Sequence, residues 1–398
     1  MMVAVGLGAA VTAGCGARES PAPTDAHAAI TASETATTIG RTADDADHDK
    51  AGKAVRRSPH TIVGRRALQR LVGQKLMVSF RGQRTPPPAL LARVQRGEVG
   101  GVILFSDNVP ADGVAGVKRT VARLQQAARR GHNPPLLIAT DQEGGDIRRL
   151  PGPPVKTPQQ MAAGSAEQVR ASGLATGRSL RQMGVGLDLA PVADLPADTA
   201  SFLGTRAFSA DRARNVRSSV AFAEGLQQAG TAATAKHYPG LGSSGVRNTD
   251  TAAVTLTTAR STLDRERAAF VRHAKAGTRV VMVSNAIYVQ YDARRPAVVS
   301  PTIIGRLRRD GFRGVIISDE LRVPNLAAYG NGVAAAATRA GVDIALFANS
   351  DGAGAFRSLV AEIGAGRIRR AQVESQVRRI IALKRWIADS QLTSGGAR

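Results

Sequence analysis

From about residue 60 onward the chain repeats one pattern: a short apolar run, a polar or glycine-rich loop, then a stretch with helical spacing. The apolar runs are Leu76–Phe80, Val99–Phe105, Leu136–Asp141, Val185–Asp194, Thr231–His237, Arg279–Asn285, Gly314–Asp319 and Val342–Ala348, eight in all. Between them, Val114, Val117, Val121 and Leu124 keep 3,4,3 spacing and stop before Gly131. Val216, Val220, Ala223 and Leu226 keep 4,3,3 spacing and stop before Gly230. Such spacing predicts helices with one apolar face, each ended by a glycine. A last helical pattern, Val373, Val377, Ile380 and Ile387, closes the domain.

Continuous apolar strands alternating with one-sided helices predict a parallel sheet buried on both faces. Eight such units fit an α/β fold of the (β/α)8 barrel type, with a doubly wound sheet as the alternative. The polar residues separate the two. Asp107, Asp141, Asp194, Lys236, His237, Asn285, Asp319 and Asn349 all fall at the ends of runs. Convergence of polar groups at strand C-termini is how a barrel builds its active site.

Composition narrows the function classes. The 398 residues include 43% hydrophobic and 21% charged positions, a globular balance. No apolar run approaches the ~18 residues that span a bilayer. Cys15 is the single cysteine, so an intramolecular disulfide, a cysteine zinc site and a Cys-x-x-Cys motif are all excluded. The net charge of +23 suggests a polyanionic partner. Residues 1–60 hold 6 basic and 7 acidic residues, so the excess lies beyond them, spread among 46 Arg and 8 Lys in the whole chain without a basic block or an aromatic RNA-binding signature. This describes a cationic surface suited to anionic polymer or lipid, not specific nucleic-acid binding.

The candidate chemistry is carboxylate-rich. Asp141-Gln142-Glu143-Gly144-Gly145, Lys236-His237 and Asp319-Glu320 combine acids with a cationic clamp, a set that suits sugar hydroxyls, which both donate and accept hydrogen bonds. A single aspartate at a strand end is often only a helix cap; a ring of them points to a site. The six histidines do not cluster, and no His-Glu-x-x-His occurs, so neither a metal nor another cofactor is expected. Gly240 to Gly245 matches the spacing of a dinucleotide fingerprint. The Thr- and Val-rich residues that follow do not open a helix, so the pyrophosphate would lack its binding terminus.

Residues 61–390 resemble the N-terminal barrel domain of family 3 glycoside hydrolases, in the branch of bacterial β-N-acetylhexosaminidases. The resemblance rests on GGVILF (100–105), IATDQEGGDIRRLPG (138–152), GVGLDLAPVADL (184–195), FLGTRAFS (202–209), AKHYPGLG (235–242), VVMVSN (280–285), GVIISDEL (314–321) and AGVDIALF (340–347). It implies a single barrel without the second α/β sandwich of larger members. It implies a retaining double displacement with Asp319 as the nucleophile, and sugar hydroxyls held by Asp141, Arg206, Lys236 and His237. The implied substrate is a glycan with terminal β-linked N-acetylglucosamine, peptidoglycan fragments among the possibilities.

Four positions depart from the branch. Leu241 replaces the second histidine of the usual Lys-His-Phe-Pro-Gly-His-Gly, Asp146 an arginine, and Asn285 a histidine. In the loop where an Asp-x-His dyad supplies the acid/base, a three-residue insertion puts Asp250 at the aspartate position and Ala252 at the histidine position. Asp250 is then the candidate acid/base, a role that needs a raised pKa, whereas a nearby Arg247 would keep it ionised. Two readings stand: a glycosidase with a remodelled acid/base, and a weakened barrel that binds amino-sugar glycans.

The N-terminal residues resemble a bacterial lipoprotein signal. Residues 3–14 are apolar or small and lead through Val11-Thr12-Ala13-Gly14 to Cys15, although no Lys or Arg precedes Arg18. The resemblance implies that Cys15 is lipidated and anchors the protein to a membrane outside the cytoplasm. Residues 16–59, rich in Ala, Thr, Ser, Asp and Pro, read as a disordered tether. The organisation expected is thus a signal segment at 1–15, a tether at 16–59 and a barrel at 60–398.

Overall fold

The computed structural model of the protein describes residues 59–197 and 201–395. Cys15 and the tether lie outside the described residues, save Pro59, which opens the first helix, Pro59–Gly73. The eight apolar runs form eight strands: β1 Leu76–Val78, β2 Gly101–Leu104, β3 Leu137–Thr140, β4 Leu187–Asp188, β5 Ala232–Tyr238, β6 Val280–Val283, β7 Val315–Glu320 and β8 Ile344–Phe347. Each pairs in parallel with the next, and β8 pairs with β1 in the register Leu76↔Ala345, so the sheet closes. The doubly wound alternative is thereby excluded.

Alternation along the strands splits the core in two. Met77, Ile103, Leu137, Leu187, Val280, Met282, Ile317 and Leu346 point into the barrel and pack on one another. Their neighbours Val78, Val102, Ile138, Val281, Ile316 and Phe347 point outward against the helices. The predicted helix Val114–Arg130 buries Val117, Val121 and Leu124, as its spacing requires, and ends at Gly131, whereas Val114, its first residue, is exposed.

Helix Arg212–Gln228 departs from its predicted face. Asn215, Ser218, Ser219 and Phe222 are buried with Ala223 and Leu226, whereas Val216 and Val220 are only partly covered. Its contact with helix Ala166–Gln182 explains the rotation. A Cβ on Gly173 would lie 2.3 Å from the carbonyl oxygen of Phe222, and one on Gly225 would lie 2.1 Å from that of Arg170. Backbones this close leave room for small residues only, and those include serine.

Helix Arg370–Gly395 crosses the end of the barrel where the strands begin. Its inner face is apolar through Val373, Val377, Ile380 and Leu383. It also supplies polar groups to the strand starts. Gln376 accepts from Lys75 Nζ at 2.7 Å, Lys384 Nζ donates to Gln74 and to the Gly100 carbonyl, and Arg379 pairs with buried Asp343. Burial pushes the Lys75 and Lys384 ammonium groups down to about 7.

Candidate active site

At the opposite end, where the strands finish, a cavity of about 290 Å3 opens. Asp141, Arg206, Lys236, His237, Asp250 and Asp319, the candidates named from sequence, all line it. Asp141 ends β3, Lys236 and His237 lie on β5, and Asp319 lies on β7. The Lys236–His237 peptide is cis. Arg206 comes from the short helical turn Gly204–Arg206, and Asp250 from the long loop after β5.

The base of the cavity is a charge network around a residue that sequence reasoning did not assign, Glu143. Its side chain is 1% exposed and takes a bidentate contact from Arg206, with both N–O distances 2.8 Å. Lys236 Nζ bridges Glu143 at 2.8 Å and Asp141 Oδ1 at 2.6 Å. Burial opposes the charge on Glu143, but Arg206 and Lys236 overcome it and hold the carboxyl well below the usual range. Burial likewise opposes the Lys236 ammonium, and Asp141 and Glu143 hold it above the ordinary lysine value. Asp141 Oδ2 has no partner among the described residues, and the side chain lines the cavity. Beneath lies Asp188, which accepts from the Gln142 amide at 2.9 Å; burial pushes its carboxyl well above the usual range.

His237 is oriented by Asp194, the second residue left unassigned. Its Nδ1 lies 2.7 Å from Asp194 Oδ2, while Asp194 Oδ1 accepts from the His237 and Leu241 amides. A carboxylate only accepts, so Nδ1 carries the proton and Nε2 is presented to the cavity. The histidine missing at Leu241 is thus replaced by an apolar side chain whose amide completes the Asp194 cradle.

Asp319 and Glu320 are adjacent but not equivalent. Glu320 Oε1 accepts from the Arg322 amide at 2.6 Å, and Oε2 accepts from the Ala348 and Asn349 amides. Both oxygens are committed to joining the ends of β7 and β8. Among the described residues Asp319 accepts only from the Glu320 amide, through Oδ1 at 2.8 Å, and Oδ2 has no partner. Asn285 is fully buried and donates to the Glu320 carbonyl at 2.6 Å, so it supports β7 rather than facing a ligand.

Asp250 sits in an Asx turn, its amide bonded to Asn248 Oδ1 at 2.9 Å. The negative charge of Asp319 pushes the Asp250 carboxyl up to about 6, with His237 and Arg206 pulling the other way. The expectation that Arg247 would control this group is replaced by control from Asp319 across the cavity. No helix follows Gly240 to Gly245. The run makes a tight turn at Gly242–Ser244, tied down by buried Glu266, which accepts from the Gly242 amide at 3.1 Å and from the Ser243 hydroxyl. Tyr288 OH donates to the Gly240 carbonyl at 2.9 Å. The root of the loop is pinned while Asp250 is exposed at its tip.

Asp146 is exposed at the hairpin turn between Gln142–Gly144 and Ile147–Arg148. Arg149, three residues on, lines the cavity instead, with its Nε buried and without a hydrogen-bond partner. His273 is buried between Thr278 and Ser219, remote from this site. Among the described residues no group of three His, Cys, Asp or Glu side chains is arranged to hold a metal.

The model of the glycosyl hydrolase family 3 N-terminal domain matches residues 68–383. A secreted glycosyl hydrolase of Arthroderma benhamiae, itself uncharacterised, is 31% identical over 78% of this chain and 92% of its own. The β-hexosaminidase of Pseudomonas aeruginosa is 33% identical over 63% of this chain and 76% of its own. The structure of a family 3 β-N-acetylglucosaminidase from a Paenibacillus species superposes with a TM-score of 0.76 at 32% identity, covering 81% of this chain. This chain spans 62% of that larger protein. The chain belongs to glycosyl hydrolase family 3 and is similar to its β-hexosaminidases.

Proposed function

We propose that this barrel is a retaining, exo-acting β-N-acetylhexosaminidase in which Asp319 is the nucleophile and Asp250 alone serves as acid and base. In the first step Asp319 bonds to the anomeric carbon as the glycosidic C–O bond breaks, and Asp250 gives its proton to the departing oxygen. In the second, Asp250 takes a proton from water, whose oxygen attacks the same carbon and releases Asp319. Asp141, Arg206, Lys236 and His237 hold the hydroxyls of the non-reducing sugar.

The observation that carries this reading is the pair itself. Asp319 on β7, with Oδ2 open, shares the cavity with an Asp250 carboxyl held near 6 by its charge, a pKa suited to proton transfer near neutrality. The substrate class follows from the β-N-acetylglucosaminidase and β-hexosaminidase relatives: glycans ending in β-linked N-acetylglucosamine, including cell-wall fragments. The secreted relative supports an extracytoplasmic location. The Cys15 motif supports a lipid anchor, followed by a tether at 16–59 and the catalytic barrel at 60–398.

The second reading, a glycan-binding barrel with weakened chemistry, is favoured by one observation: Ala252 stands at the dyad histidine position, and Asp250 lies on an exposed turn. Release of chromophore from an aryl β-N-acetylglucosaminide, with a covalent adduct to Asp319 trapped by a fluorinated sugar, tests the first reading. Binding of N-acetylglucosamine oligomers with no turnover of either substrate would support the second.

A further inference from the structure

The end of the barrel opposite the cavity carries a different chemistry. Helices of a parallel barrel run from the strand C-termini back to the strand starts, so their last turns gather on this floor. Those last turns carry Arg129 and Arg130, Arg181, Arg309, and Arg272 with Lys275. Cations there complement the helix dipoles, which explains their position but not their number.

Apart from exposed Asp389 on helix Arg370–Gly395, the acids of this face are already engaged. Asp343 is buried beneath Arg308 and Arg379, Glu98 pairs with Arg96 and Arg93, and Glu362 pairs with Arg339 and Arg367. Arg66, Arg129, Arg130, Arg313, Arg378 and Arg385 are exposed and make no ion pair or hydrogen bond among the described residues. Arg378 and Arg385 lie on helix Arg370–Gly395 and the others on elements beside it, and three separate cavities flank the floor. One of about 520 Å3 holds Arg66, Arg96, Arg130 and His132. One of about 280 Å3 holds Arg129, Arg181 and Lys384. One of about 310 Å3 holds Arg313 and Arg379 beside Trp386, on whose ring Arg279 stacks at 4.6 Å.

We propose that the barrel floor docks on a membrane surface through anionic lipid headgroups. Discrete arginine-lined cavities around a central helix suit separate headgroups in a plane better than one continuous polymer, which would need a connected groove. Among the described residues the exposed large apolar side chains are Val114, Val155 and Val246, and none belongs to the floor, so the docking is electrostatic and without insertion. In this orientation the catalytic mouth points away from the bilayer.

The test uses the full chain carrying Cys15→Ser, so that no acyl group contributes, in sedimentation with vesicles of phosphatidylcholine alone or mixed with phosphatidylglycerol. Binding is expected only to the mixed vesicles and is expected to weaken with salt. Adding Arg130→Glu, Arg313→Glu and Arg378→Glu should lower the partition coefficient by on the order of 100-fold. A control of equal charge, Arg84→Glu, Arg217→Glu and Arg294→Glu, should stay within about threefold of the parent. Thermal melting checks that both triple variants fold. Absence of binding to the mixed vesicles, or equal loss in the two triples, overturns the proposal; so does a floor variant that loses binding to soluble polyphosphate while keeping its vesicle binding.

Discussion

Asp319 sets the protonation of Asp250: the charge of the strand residue is the largest influence raising the loop carboxyl to about 6. One residue on a rigid strand therefore tunes the proton affinity of another on a loop. The coupling is measurable. In Asp319→Asn the Asp250 carboxyl should fall back toward its ordinary value, seen by NMR or difference infrared titration. In the parent, kcat/KM should decline above about pH 6 as Asp250 loses its proton.

Replacing Asp250 with Ala should separate substrates by leaving group. An activated aryl glycoside needs little protonation and should still form the glycosyl-enzyme, with azide restoring its second step. Natural glycans should lose turnover by roughly 10²–10⁴-fold. Equal loss on both would reassign Asp250 to holding the loop.

Glu143 and Asp141 should respond in different ways. Glu143→Ala leaves Arg206 and Lys236 buried beside one another without their shared counter-ion, and should destabilise the fold by about 3–5 kcal/mol, read in denaturant unfolding. Asp141→Ala, which leaves Lys236 its contact with Glu143, should cost less stability than Glu143→Ala while weakening binding of N-acetylglucosamine oligomers by about 1–3 kcal/mol in calorimetry.

Glu266 gives a stability signature. Burial raises its carboxyl from 4.5 to about 7, so the folded chain binds this proton more tightly than the unfolded one. Its contribution is full below about pH 4.5 and is lost as pH rises through 7, by roughly 3 kcal/mol at most. Glu266→Gln, which keeps an acceptor for the Gly242 amide, should flatten that slope in melting curves taken from pH 4 to 8.

Cys15→Ser should release the protein from the membrane fraction into the medium when it is produced in a lipoprotein-processing host. Unchanged fractionation would remove the anchor reading.

The barrel was legible because each of its strands is buried on both faces, which leaves an uninterrupted apolar run in the sequence. Where the rule bent, particular residues were responsible. The run Val185–Asp194 reads as one long strand, yet only Leu187–Asp188 joins the ladder, since Pro191 has no N–H to donate and a lone bridge, Val192↔Lys236, continues the pairing. In helix Arg212–Gln228, Ser218 and Ser219 count as polar in any hydropathy pattern, but at a glycine-lined helix contact size decides. In the site, the motifs named Glu143 and Asp194 as polar groups but gave them no role, and only the structure shows that they hold Arg206, Lys236 and His237. A supporting residue is defined by what lies across the barrel from it, as Glu143 is by Arg206, 63 positions away.

The loop that carries Asp250 is rooted on Glu266, Asp194 and Tyr288, yet its tip contributes nothing to the barrel core. Asp250 therefore sits on an exchangeable part. Residues 246–253 can be rewritten to add an imidazole or to move or delete the Asp250 carboxyl, while Asp319 and the network of Asp141, Glu143, Arg206 and Lys236 stay in place. One scaffold can in this way yield hydrolases, slow glycosyl-trapping variants and plain lectin-like binders by changes confined to a single surface segment.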